Sequence, residues 1–279
     1  MTKLPPLSVK HLFPLLDQKL MELLRSLGPD EWQLQTVAKA WKVKDVAAHL
    51  LDGNIRILSI QRDKYFGEVP PPEAVSYSGL VHWLNELNAD WVKAARRISP
   101  GILILLHEAT GKAVSDHFIS LDPMDTAIFP VAWAGENESL NWMHIAREYT
   151  EKWLHQQQIR DAVNKPGIMT KELFQPFIQA FMHGLPHAFR DTDAPEGTAV
   201  RLTVDPSIGN SCTIIRQNEG WNLFQSEPGP VTAEVIMDAD TAWKLFSKSL
   251  RPQDVIHKLV INGDAALANT VLSMVAVMA

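Results

Sequence analysis

A chain of 279 residues, 46% hydrophobic and 21% charged, can bury a stable core without disulfide or metal staples, and at ~100–200 residues per domain it predicts two domains. A net charge of −6 and the lack of any Lys/Arg run exclude the electrostatic footprint of a nucleic-acid binder. One cysteine, Cys212, excludes an intramolecular disulfide and favours a reducing compartment, and the longest apolar run, Gly101 to Leu106, is far short of the ~20 residues that span a bilayer.

The first two thirds of the chain reads as helices. Val9 to Leu27 places Leu12, Leu15, Leu16, Leu20, Leu23 and Leu24 at helical spacing and ends at Gly28-Pro29. A second helix is predicted from about Val43 to Phe66, with Val46, Leu50, Ile57 and Ile60 as its apolar stripe and Pro70-Pro71-Pro72 beyond its end. A third runs from about Ser78 to Ile98. Ser99-Pro100 opens a fourth, to about Leu121, because serine caps and proline suits the first turn. After a loop from Asp122 to Glu138 comes a helix from Asn141 to Val163, closed by Asn164-Lys165-Pro166-Gly167. A last helix covers about Thr170 to Phe189. Long antiparallel helices of this kind predict an up-and-down bundle whose core seam can host a metal.

The pattern changes after Arg190. Short alternating runs, Thr198 to Val204, Cys212 to Gln217, Trp221 to Gln225 and Val231 to Met237, are separated by turn residues and read as strands. Asp238 to Leu250 reads as a helix, Lys258 to Ile261 as a strand and Ala265 to Met278 as a final helix, which predicts an α+β module. Domains of 1–190 and 191–279 are therefore expected. Lys10, His11, Asp17, Gln18 and Lys19 interrupt any signal-peptide core, so a cytoplasmic protein without a membrane partner is expected.

The helix from Asn141 to Val163 carries His144, Glu148, Glu151 and His155 at spacings of 4, 3 and 4, which puts them on one face. Charged groups on a buried face are costly unless paired or bound to a metal. Glu151 and His155, one turn apart, can reach one ion. The best third ligand is His49, in the otherwise apolar stretch Val46-Ala47-Ala48-His49-Leu50-Leu51, where two alanines let another helix approach closely. Two histidines and one carboxylate leave an open coordination position, as catalytic zinc sites do, and the same donors suit nickel, iron or manganese. The residues alone leave a plainer alternative open: a satisfied core histidine and a surface Glu/His pair. His144 and Glu148 suit a role in the wall of such a site, since metal-bound histidines usually donate their other nitrogen to a neighbour.

At these residues the sequence resembles a known family. Trp41-Lys-Val-Lys-Asp-Val-Ala-Ala-His49-Leu is similar to the W-x-V-x-D-x-x-x-H-L stretch of the mycothiol-dependent maleylpyruvate isomerases, part of the DinB/YfiT-like metalloproteins. Glu151-Lys-Trp-Leu-His155-Gln-Gln-Gln-Ile-Arg160-Asp-Ala resembles that family's E-x-x-x-H followed by Q-x-I-R-D-A. Ala233-Glu-Val-Ile-Met-Asp, Trp243-Lys-Leu-Phe and Gly263-Asp are similar to its C-terminal module. The resemblance implies a DinB-like four-helix bundle followed by a small sterol-carrier-like α/β domain. It implies His49, Glu151 and His155 as ligands of a divalent metal, usually zinc, with nickel an alternative, and mycothiol or a similar thiol as cofactor. The implied activity is isomerisation or S-transfer on a small organic acid or electrophile.

Arg147 and Arg160 flank the metal helix and are candidates for a catalytic, substrate-carboxylate role, because a guanidinium fork matches a dicarboxylate; a structural pairing with Glu148 or Asp161 is the alternative. Trp133, in the loop Phe129 to Gly135, joins His144 and Glu148 as candidates for the thiol side of the site, with plain packing as its alternative. Cys212 in a strand reads as inert core, and His257 is isolated. Bundles of this kind admit a homodimer through exposed helix faces. Two rival functions share the scaffold: a non-catalytic protein binding metal or an apolar ligand, and a thiol-independent metal hydrolase.

Overall fold

The computed structural model describes residues 2–72, 74, 76–208 and 210–277. The chain divides into two compact units, each built from separate stretches of sequence.

The helical unit consists of Ser8–Ile128 and Glu148–Ile168. A 3-10 turn, Lys10–Leu12, leads into α1, Phe13–Arg25, so the regular helix starts later than its leucine pattern predicts, with a proline in its first turn. Helix α2 spans Val43–Arg56, and the Asp45 carboxylate accepts a hydrogen bond from the Lys42 backbone N–H at its start. The chain then widens into a π-helical segment, Ile57–Arg62, and leaves the helix at Lys64, whose φ is +59°. The predicted second helix is thus two different helices in series. Helices α3, Tyr77–Ala95, and α4, Pro100–Ser120, are capped by the hydroxyls of Ser76 and Ser99. Helix α5 covers Asn141–Val163, as its flanking residues predict, and belongs to this unit from Glu148 onward.

Helix α1 packs on α4, and α2 packs on both α3 and α4. Leu20, Leu23, Leu24, Val43, Val46, Ala47, Leu51, Leu103 and Ile159 form one continuous core. A leucine buried this fully contributes about 1.5–3 kcal/mol. Ala47 and Ala48, both buried, let neighbours reach the α2 backbone: the indole N–H of Trp91 donates to Ala48 O at 2.7 Å, and Nε2 of His107 lies 2.9 Å from Ala47 O.

The sheet unit holds the N-terminal residues up to Leu7, Phe129–Arg147 and the chain from Met169. Its five strands are β1 Ala199–Val204, β2 Asn210–Gln217, β3 Gly220–Gln225, β4 Ala233–Met237 and β5 Val260–Gly263, in the order β3-β2-β1-β4-β5. The β1–β4 pair is parallel and the others antiparallel, a mixed sheet. The alternation of β1 is that of a half-buried strand, with Val200, Leu202 and Val204 inward. The first residues bridge to β3, through Gln225 N to Thr2 O and Leu4 N to Leu223 O, a pairing no sequence pattern announces.

Helices α6, Lys171–Met182, and α7, Leu185–Ala188, replace the single helix predicted up to Phe189. Both belong to the sheet unit. The physical reason is the apolar face of α6, Leu173, Phe174, Phe177, Ile178 and Phe181, which packs against β2 and α8 (Ala239–Phe246). After α9, Pro252–Val255, helix α10, Ala265–Leu272, closes over β4 and β1, capped by the Asp264 carboxylate. The predicted helices from Asp238 and from Ala265 are both shorter than expected, and the end of the latter lies outside the described residues.

Candidate metal centre

His49 projects from α2 and Glu151 and His155 from α5, within the helical unit. One ligand atom from each lies within 4.8 Å of the others, so the three side chains that the sequence singles out do converge. Oε2 of Glu151 is 3.4 Å from Nε2 of His155. Two atoms bound ~2 Å from one ion at tetrahedral angles sit roughly 3.3 Å apart, so this spacing suits a shared cation. The His49 and His155 rings meet edge to face with centroids 4.5 Å apart, and the Trp41 indole lies against His49 with centroids 4.7 Å apart and the planes tilted by 39°.

The protonation of the site follows from its neighbours. Nδ1 of His155 lies 2.9 Å from Oε1 of Gln158, which can only accept, so Nδ1 donates and Nε2 is the nitrogen that faces Glu151. Burial, helped by the neighbouring His155 and Arg56, holds the His49 imidazole well below its ordinary pKa, so it is a neutral base at physiological pH. Nδ1 of His49 is buried with no hydrogen-bond partner. An unsatisfied buried nitrogen costs about 1–3 kcal/mol, and a neutral imidazole lone pair is what a metal takes. The residues present fit a divalent metal with N, N and O donors.

A cavity of about 50 Å³ adjoins the three side chains, lined by Phe13, His49, Leu50, Gly53, Asn54, Ile57, Val114, Phe118, Glu148, Glu151, Lys152 and His155. At ~10–15 Å³ per water-sized sphere it admits the reacting end of a ligand rather than a whole cofactor. Glu148, expected on the site wall, lines this cavity, and Nε2 of Gln61, on the π-helical segment, reaches its Oε1 at 3.5 Å. Sequence reasoning missed Lys152, Asn54 and Gln61. The one available signal was a charged residue, Lys152, amid the buried positions of α5.

The other expected residues are not among those that line this cavity. Arg160 donates to the backbone oxygens of Lys165, Pro166 and Lys19 at 2.8–3.1 Å, which ties the end of α5 to α1. It lines a separate cavity of about 210 Å³ that contains none of the three converging residues. Trp133, His144 and Arg147 belong to the sheet unit. There Arg147 donates to Nδ1 of the fully buried His144 at 2.9 Å and to Pro130 O, while Trp133 packs edge-on against Phe181. Cys212 is fully buried in β2, and burial pushes its thiol pKa far up, as expected of inert core.

A helical unit with two imidazoles and a carboxylate converging between two of its helices, joined in one chain to a mixed-sheet α+β unit, defines the class: an α plus α+β protein with a candidate metal centre. The chain belongs to the mycothiol maleylpyruvate isomerase N-terminal domain family, whose model matches residues 13–160, a span that contains all three converging residues. Its fold is similar to the crystal structure of the mycothiol-dependent maleylpyruvate isomerase, at 14% identity and a TM-score of 0.56 over 95% of this chain and 98% of that one. A histidine-to-alanine mutant of that enzyme gives the same figures, 14% and 0.56. No curated relative matches the sequence. No helix among the described residues is long and apolar enough to cross a membrane.

Proposed function

We propose that this protein is a metal-dependent enzyme that uses a low-molecular-weight thiol, of the mycothiol type, to isomerise or S-transfer a small organic acid or electrophile. The observation that carries the reading is the meeting of His49, Glu151 and His155 atoms within 4.8 Å beside a cavity. Family membership supports the thiol, since the matched model is that of mycothiol maleylpyruvate isomerase. The reading takes the helical unit as an up-and-down four-helix bundle.

His49, Glu151 and His155 would hold the ion, zinc being the first choice for this donor set and nickel an alternative. Bound there, a divalent ion supplies Lewis acidity that lowers the pKa of a sulfhydryl. The chain's own residues do the rest. Gln158 keeps the proton of His155 on Nδ1. Glu148 stands one turn before Glu151 on α5 and lines the same cavity, where its carboxylate is placed to take the proton a sulfhydryl gives up. Phe13, Leu50, Ile57, Val114 and Phe118 exclude water, which strengthens every charge interaction within. Arg160 acts in this reading as a tie between helices.

The test is elemental analysis with thiol binding. One divalent ion per chain and mycothiol affinity that depends on that ion support the reading. Protein that takes up neither zinc nor nickel sinks it.

A further inference from the structure

The cavity beside the three converging residues has apolar walls and two acidic side chains, Glu148 and Glu151. Among the described residues that line it, Lys152 is the one lysine or arginine. Its side chain is 7% exposed, and its ammonium pairs with Asp17 of α1. Oδ1 of Asn54, on α2, lies 3.5 Å from the same nitrogen. Both partners are fixed from behind. Ser115 donates to Oδ2 of Asp17 at 2.8 Å, and Nδ2 of Asn54 donates to Thr110 at 3.0 Å.

Taking an ion pair out of water costs several kcal/mol per ion, and an apolar pair of the same shape is often as stable. Stability alone therefore does not account for an ammonium at this place. An ammonium has three donors. Asp17 and Asn54 can accept two of them, and of those two only Asn54 lines the cavity. Lys152 thus lines the cavity while its counter-charge, Asp17, does not. With an ion offsetting Glu151, the remaining donor is available to a carboxylate that enters this cavity.

We propose that Lys152 is a specificity-determining residue of this site, which recognises the carboxylate of a small acid whose other end reaches the metal. The inference rests on the metal-and-thiol reading above.

The probes are mercaptopropionate and its neutral analogue mercaptopropanol, titrated into cobalt-substituted full-length protein and followed by sulfur-to-cobalt charge-transfer absorbance. A charge-assisted hydrogen bond in a dry site is expected to favour the carboxylate thiol by about tenfold or more. Lys152→Met and Lys152→Gln should each bring that ratio to within about twofold of unity. A ratio near one in the unsubstituted protein overturns the inference. So does a ratio that survives loss of the lysine, because the preference then comes from chelation of the metal. Should the Lys152 variants not fold, a ratio in the unsubstituted protein no larger than the one the same two thiols show for free cobalt overturns it as well, because chelation alone then accounts for it. Failure of both thiols to perturb the cobalt spectrum is a different result: it removes the thiol reading itself, and this inference with it.

Discussion

Gln158 sets which nitrogen of His155 carries the proton, holding Nδ1 at 2.9 Å with an oxygen that cannot donate. Such outer partners of a metal-binding histidine are typically worth about 10–100-fold in metal affinity. Gln158→Leu should weaken zinc binding by about that factor, and Gln158→Glu, which keeps an acceptor, should stay within a few-fold of the parent. A competition titration against a chromophoric chelator measures both. A leucine variant that binds zinc as tightly as the parent would show that the imidazole needs no such partner.

His49→Ala should abolish stoichiometric metal while leaving a folded chain, because Nδ1 of His49 has no protein hydrogen-bond partner to strand. An ion present at ~100 times its Kd adds about 2.7 kcal/mol of stability. Chelation should therefore lower the Tm of the parent by roughly 5–10 °C, given about 2–4 °C per kcal/mol for units of this size. The His49→Ala protein should show no chelator effect in the same thermal melt. A chelator-sensitive Tm in that variant would mean the ion sits elsewhere.

Gly263 ends β5 with φ of +79°, and a Cβ there would collide with the carbonyl oxygen of Thr232, a backbone atom that cannot swing aside. The same oxygen accepts from the Asp264 N–H at 3.0 Å, and Asp264 caps α10. Gly263→Ala should thus cost about 2–4 kcal/mol, from left-handed strain together with the clash. The loss should appear in urea unfolding followed through Trp243, which is buried in the sheet unit, and leave metal content unchanged. An unaltered midpoint would show that the turn relaxes freely.

Sequence reasoning succeeded where signals were local. The bounds of α5 were readable because Asn164 and Pro166-Gly167 stop it, and α4 because Ser99-Pro100 starts it. His49 and the Glu151/His155 pair stood out as polar residues on apolar helical faces, and the structure brings them together. What was not readable depends on distant partners. The hydrophobic period runs on through Ile57 and Ile60, and nothing in it marks the switch to π-helical bonding at Ile57–Arg62. The phenylalanines of α6 announce burial but not that β2 and α8 cover them. Lys152 was passed over because Asp17 and Asn54, which hold it, are far away in the chain.

His107 makes acid stability a readable property of the helical unit. It is 2% exposed on α4, with Nε2 on Ala47 O, Lys152 of α5 lowering its pKa and Asp17 of α1 raising it. Burial dominates and holds the imidazole at about 4, below its ordinary 6.5. The unfolded chain therefore binds a proton between these values that the folded one refuses, so stability falls as pH drops through this window. At ~1.4 kcal/mol per pH unit the group's share of that loss is about 3 kcal/mol. His107→Gln keeps an N–H for Ala47 and removes the titration. The variant should be somewhat less stable than the parent at neutral pH through poorer packing, and that gap should narrow by about 3 kcal/mol as the pH falls towards 4. Both proteins should keep some acid sensitivity from His183, which burial in the sheet unit likewise lowers to about 4. Urea unfolding across this pH range decides the matter: stability curves of parent and variant that run parallel would mean His107 takes up its proton without unfolding the helices around it.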